Sequence, residues 1–174
     1  MESSQGHIGS KRNFILQQGL GEPLPQSCPL QYSALMFQPR LIGLLSLLGV
    51  IFQSAWGFLV LSAILWWSAL LPQWNPFDAL YNYTMGTKPD GVRLDAAPDP
   101  RRFAQGVAGT FMVIIGSSLL LDRTFITYTF EAFLLIAIAT LVFGRLCFGS
   151  LIFHLLSGRA AFAMRTLPWS GRKP

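Results

Sequence analysis

Between Leu41 and Leu71 the chain runs for thirty-one residues without a charge, and Gln53 with four serines supplies its only polar side chains. Such a run belongs in a bilayer, where a helix satisfies its own backbone hydrogen bonds. A bilayer core about 30 Å thick takes about 20 helical residues, whereas this run at about 1.5 Å per residue would reach roughly 46 Å. The excess predicts a hairpin, with Gln53-Ser54, Trp56 and Gly57 marking its turn. A second apolar region, Phe103 to Phe143, is interrupted by Asp122-Arg123 and predicts another hairpin.

The expected fold is therefore all-α, an integral membrane four-helix bundle of two transmembrane hairpins, with spans at about 33–52, 55–71, 102–121 and 124–145. Charge orients it. Eleven of the thirteen Lys and Arg, among them Lys11, Arg12, Arg40, Lys88, Arg93, Arg101 and Arg102, fall on the side that holds both termini; Arg123 lies opposite and Arg145 at the inner end of the fourth span. Positive flanks stay cytoplasmic, which predicts an N-in, C-in protein of a bacterial inner membrane.

With 52% apolar and 12% charged residues, the composition excludes an ordinary soluble domain and suits one compact bundle. The net charge of +5 is spread over juxtamembrane positions, so anionic lipid headgroups rather than nucleic acid are the expected partner. No signal-peptide core precedes residue 31, and insertion is expected to rely on the first span.

Residues 1–31, rich in Gly, Gln, Ser and Pro, read as a mobile cytoplasmic tail in which Phe14-Ile15-Leu16 docks as a short apolar turn. In the first span Gly43, Ser46, Gly49 or Val50, and Gln53 form a small-residue stripe facing the bundle, as do Gly106, Gly109 and Gly116 in the third. Asn75-Pro76-Phe77-Asp78 reads as the start of a short interfacial helix, with Asn as N-cap, Pro at the first position and Asp in the first turn. Lys88-Pro89-Asp90-Gly91 has the chemistry of a tight turn. Residues 146–157 either prolong the fourth helix or lie in the interface, and 159–174 form a loose basic tail.

Glu131 is the most unusual residue, because a carboxylate at full depth costs on the order of 2.5 to 3.5 kcal/mol. Gln53, Ser54, Ser117, Ser118 and Thr127 share its outer half, and Arg123 is placed to reach down to it. The ordinary role for such a group is an interhelical hydrogen bond; the functional one is a protonatable or ligand-binding carboxylate. At the cytoplasmic face, Arg145 reads as a lipid anchor before a phosphate or quinone site. Cys28 and Cys147 read as packing thiols before a redox or metal pair, and no structural disulfide is expected. His154 is a lone histidine that as a haem or chlorophyll ligand lacks a second motif, and His7 lies in the tail.

Ser27-Cys28-Pro29, Asn75-Pro76-Phe77, Arg102-Phe103-Ala104 and the segment Phe143-Gly144-Arg145-Leu146-Cys147-Phe148-Gly149 resemble the uncharacterised bacterial membrane family called domain of unknown function 4395, over roughly residues 25 to 158. The resemblance implies a small inner-membrane protein without an assigned activity, and it carries over no catalytic residue. The family's pattern has a second cysteine soon after that last glycine, where this chain has Ser150, which speaks against a vicinal thiol pair.

No phosphate loop, nucleotide fingerprint or Ser/His/Asp set appears, so a non-enzymatic accessory or assembly subunit, packed against a membrane-protein partner or a second copy, is the first expectation. The alternatives are a redox or cofactor protein binding haem, quinone or pigment through the cytoplasmic-face residues, and a small proton-linked transporter using Glu131.

Overall fold

A computed structural model describes residues 2–87 and 91–170, with side chains from Gly9 onward. Among these residues every regular element is helical: α1 (Glu2–Gln17), α2 (Cys28–Leu35), α3 (Phe37–Ile51), α4 (Ala55–Leu70), α5 (Pro76–Thr84), α6 (Asp99–Leu120), α7 (Thr124–Val142), α8 (Phe148–Leu156) and α9 (Ala160–Arg165), with a 3-10 turn at Pro72–Trp74. Lys88, Pro89 and Asp90 of the expected tight turn, and the last four residues, lie outside the described residues.

Among the described residues three stretches are long and apolar enough to cross a membrane: Cys28–Ile51, Asp99–Leu120 and Thr124–Val142, of 24, 22 and 19 residues. The first is jointed at Met36 between α2 and α3, because Pro39 in the first turn of α3 has no N–H to continue the α2 ladder. The remaining expected span is α4, whose 16 residues extend about 24 Å.

The chain reverses between α3 and α4 at the polar pair. Gln53 adopts a left-handed φ of 46°, and Ser54 caps α4 by accepting a hydrogen bond from Gly57 N at 3.1 Å. The reversal between α6 and α7 falls at Asp122-Arg123, where Asp122 has a φ of 52°. α6 starts at Asp99, earlier than the expected 102, since an acidic residue and Pro100 both suit a first helical turn. α7 stops at Val142, short of 145; Arg145 with a φ of 56° turns the chain, so α8 is a separate helix and does not prolong α7.

α4 and α6 pack most closely because glycines let them. A Cβ on Gly109 would lie 2.9 Å from Trp66 Cδ1, and one on Gly116 would lie 3.0 Å from the backbone oxygen of Ala55. Ser62 Oγ donates to Gly109 O at 2.8 Å across the same seam. The main core joins Ile42, Phe58, Leu61, Leu65, Phe77, Met112, Ile115 and Leu134. Gly43 and Gly49 of the expected stripe are spent against Ile138 and Phe58, and Ser46 is buried.

At the end of the bundle where α1 meets the segment around Leu167, a second core contains Phe14, Ile15, Cys28, Tyr32, Leu35, Met36 and Cys147. The docking expected of Phe14-Ile15-Leu16 is seen for Phe14 and Ile15, within a helix and not as a short turn in a mobile tail. Phe14 and Ile15 are 1% and 0% exposed within α1, Asn13 Nδ2 donates to Leu167 O at 3.0 Å, and Gln17 Oε1 accepts from Cys147 N at 2.9 Å. Apolar burial plus these bonds outweighs the poor helix propensity of the Gly and Ser residues in α1. The expected loose tail after 159 likewise contains α9, with Ala163 buried.

Candidate functional site

Five polar side chains meet inside the same end of the bundle: Gln38 of α3, Asn75 and Asp78 at the start of α5, and Arg101 and Gln105 of α6. Local chemistry positions them. Asn75 Oδ1 accepts from Phe77 N at 3.0 Å, so Asn75 caps α5 and turns its Nδ2 inward. Asp78 follows in the first turn and accepts from that Nδ2 at 2.8 Å. Arg101 and Gln105 are four apart on α6 and so share its inward face.

Arg101 Nη2 donates to Asp78 Oδ1 at 2.5 Å and to Gln38 Oε1 at 2.7 Å. Gln105 Nε2 donates to the same Gln38 oxygen at 3.0 Å and Asn75 Nδ2 reaches it at 3.4 Å. Ser68 Oγ lies 3.1 Å from Asn75 Oδ1, joining α4 to the group. The network thus ties α3, α4, α5 and α6 together around one neutralised charge pair. Beside it Tyr81 of α5 is buried against the Phe37 ring, and burial pushes its phenol above the ordinary tyrosine range.

Sequence reasoning assigned Arg101 to the lipid headgroups and left Gln38, Asp78 and Gln105 out of the site. The available signal was the pair of amides set into otherwise apolar or small-residue neighbourhoods, with Arg101 one turn before Gln105.

At the opposite end the structure brings two of the expected outer residues together. Gln53 Nε2 lies 3.2 Å and 3.4 Å from the two carboxylate oxygens of Glu131, which is 4% exposed. Thr127 Oγ1 lies 2.9 Å from Ser118 Oγ. Among the described residues no hydrogen bond links Ser54, Ser117, Ser118 or Thr127 to Glu131, and the exposed Arg123 makes no ion pair with it. Ser54 is occupied as a cap and Thr127 by its neighbour across the turn.

The candidates expected at the cytoplasmic face also converge. Cys28 and Cys147 are buried free thiols of one apolar cluster, and Ser150 Oγ lies 3.3 Å from Cys147 Sγ. Arg145 places its guanidinium 5.6 Å from the centre of the Tyr32 ring, a cation–π contact. His154 Nε2 sits 3.0 Å from Gln17 O, which assigns the ring proton to that nitrogen. Phe153 and Phe162 stand edge-on around the imidazole, so the nitrogen that most often binds a haem iron is already engaged. Among the described residues no group of three or more His, Cys, Asp or Glu side chains gathers as a metal site.

Fold and site together define a class: an all-helical protein with membrane-length apolar helices, whose interior polar groups bond helix to helix. Within that class the chain belongs to the family described as domain of unknown function (DUF4395), whose match spans residues 33–157. Comparison with curated proteins and with solved structures gives no match.

Proposed function

We propose that the chain is a multi-pass protein of a bacterial inner membrane that works as a non-enzymatic accessory or assembly subunit of a larger membrane complex. In this reading α3 and α4, then α6 and α7, cross the bilayer as two hairpins with both termini in the cytoplasm. A band of exposed large side chains supports the membrane setting: Leu44, Ile51, Trp56, Val60, Phe133 and Ile136 are all more than half exposed. Charge supports the orientation, because Lys11, Arg12, Arg93, Arg101, Arg102, Arg159 and Arg165 lie on one side of the hairpins.

The accessory role rests on one observation. The side chains most suited to chemistry are committed to structure: Asp78 to Arg101, Glu131 to Gln53, His154 to Gln17 O, and both thiols to the core. What such a protein has left to offer is a shaped surface.

Two experiments test the reading. Reporter fusions at the termini and after residues 53 and 122 should show termini inside and both turns outside; any other pattern removes the topology. Mild-detergent purification at native expression, with mass spectrometry of everything that travels along, should return a stoichiometric membrane partner. A monodisperse monomer with no partner would defeat the accessory role.

A further inference from the structure

Helix α8 is built inside out. Its outer side chains, Phe148, Ile152, Leu155 and Leu156, stand at i, i+4, i+7 and i+8, the spacing of a single helical face, and are 40% to 75% exposed. The opposite face carries its polar groups, Ser150 and His154, and both are buried. Ser150 Oγ donates to Pro100 O at 3.3 Å, and His154 Nε2 donates to Gln17 O at 3.0 Å. In water, the burial of large aliphatic side chains drives a helix of this composition to the opposite orientation. The orientation seen suits an apolar medium on its outer side.

The contacts with α6 fix the level at which α8 sits. Gly149 packs against Ala104, Ser150 bonds to Pro100, and the Phe153 ring lies 5.8 Å from that of Phe103. All three partners fall within the first two turns of α6, which is itself of membrane length. α8 therefore lies where a spanning helix meets the bilayer surface. Its nine residues extend about 13 Å, too short to cross.

Charge identifies what covers the outer face. Beyond Glu131 the chain has no Asp or Glu, but it has Arg145, Arg159, Arg165, Arg172 and Lys173. Arg159 follows α8 directly: Gly158 turns the chain with a φ of 73°, and the Arg159 N–H donates to His154 O at 2.9 Å. Arg165 ends α9, which is held to α8 by the Phe162 ring at 4.8 Å from the His154 ring. Among the described residues neither Arg159 nor Arg165 makes an ion pair. An apolar stripe followed by unpaired guanidiniums, with no carboxylate in the same segment, is complementary to a layer of negatively charged lipid. A second copy of the chain would bring the same positive charge to this face and be repelled.

We infer that α8 lies in the membrane surface with Ile152, Leu155 and Leu156 at the acyl boundary, and that Arg159 and Arg165 gather anionic phospholipid around it. This rests on the membrane reading above and adds to it a lipid-selective site outside the spanning helices.

The test places an environment-sensitive dye on Ile152→Cys or Leu156→Cys in the full chain, reconstituted in vesicles of equal parts phosphatidylcholine and phosphatidylglycerol. Native protein carried through the same labelling gives the background from buried Cys28 and Cys147. A nitroxide high on the lipid chain should quench the dye more than one near the chain end, and aqueous iodide should quench it weakly. Nitroxide phosphatidylglycerol should occupy the site about fivefold more than nitroxide phosphatidylcholine, the preference expected from one arginine at a charged surface. Arg159→Gln with Arg165→Gln should bring that ratio to about one and leave the depth unchanged.

Iodide quenching equal to that of free dye, stronger quenching from the chain end, or equal occupancy by the two lipids would each overturn the inference. So would self-quenching between labelled copies without lipid quenching, which would give the face to a second copy. Phe148→Cys replaces either labelled variant that does not fold. A carbonate wash separates the two readings. Protein retained in the vesicles with an iodide-exposed dye removes the α8 site alone, whereas protein stripped from them removes the membrane reading as well.

Discussion

Asp78 Oδ1 and Arg101 Nη2 face each other at 2.5 Å inside the helical bundle, with side chains only 8% and 7% exposed. A buried pair of this kind contributes little over an apolar replacement, but half of it is costly to leave behind. Asp78→Ala strands a guanidinium among Gln38, Gln105 and apolar walls, and should destabilise the protein by about 3–5 kcal/mol. The double variant Asp78→Leu with Arg101→Leu should lose much less than the two single losses added together. Thermal unfolding read by a thiol-reactive dye, which reports exposure of buried Cys28 and Cys147, measures both. Additive losses would show that the two charges do not depend on each other.

Gln53 carries two separable burdens, a left-handed φ of 46° and the hydrogen bond to Glu131. Gln53→Ala keeps the strain and loses the bond, whereas Gln53→Gly loses the bond and relieves the strain. Both should be less stable than the native protein, with the glycine variant recovering about 1 kcal/mol relative to alanine. The same thermal assay ranks them, and alanine at or above glycine would contradict the turn geometry.

Gly149 fixes how α8 sits on α6, because a Cβ there would lie 2.6 Å from the Cα of Ala104. Backbone cannot step aside as a side-chain tip can, so Gly149→Ala should cost about 1–3 kcal/mol. Gly21→Ala meets nothing within 4 Å and should be nearly silent. Equal behaviour of the two variants in thermal unfolding would mean that the α6–α8 approach is looser than described.

The parts of this fold that could be read from sequence are those written in long uniform runs. Uncharged stretches broken at Gln53-Ser54 and Asp122-Arg123 mark helices and turns directly, and Asn75-Pro76-Phe77-Asp78 spells a helix start. The polar interior was not legible, since Arg101 next to Arg102 looks like any basic flank until Asp78, 23 residues earlier, is seen to face it. Helix α1 was hidden for a related reason. Its local composition argues against order, and the contacts that offset this come from Cys147 and Leu167, far along the chain. Of the outer candidates, Gln53 and Glu131 share a depth in the span and are hydrogen-bonded. Thr127 lies four residues before Glu131 on the same buried face of α7, but its hydroxyl is engaged by Ser118 Oγ and Arg123 O and not by the carboxylate.

Arg12 of α1 and Glu22 of the following linker form an ion pair with both side chains about half exposed. The hydrogen bonds from Arg12 hold the Glu22 carboxyl below the ordinary glutamate range. A folded pKa that is depressed contributes its stabilisation above the unfolded value and loses it as pH falls through the folded one. The linker between α1 and α2 should therefore become easier to cleave on acidification below about 4.3, and Glu22→Gln should remove that pH dependence at this site. Limited proteolysis at two pH values measures it. The effect on global stability should be small, because solvent screens an exposed pair.

The sharpest division between the accessory reading and a redox one lies in Cys28 and Cys147, 2% and 6% exposed in a cluster sealed by Phe14, Ile15 and Leu35. A thiolate reacts only when it is formed and reached, and an apolar enclosure hinders both. A membrane-permeant maleimide should label neither cysteine in the folded protein and both after unfolding, so two equivalents appear only past the thermal transition. Ser150 beside Cys147 supplies a hydroxyl where a resolving thiol would be needed for rapid exchange. Ala substitution of Phe14 opens the cluster and should turn slow labelling into fast labelling without changing the order of events for the native chain. Rapid native-state labelling of both thiols, lost on mild oxidation and restored by reductant, would instead make the pair a working dithiol and transfer the function to it.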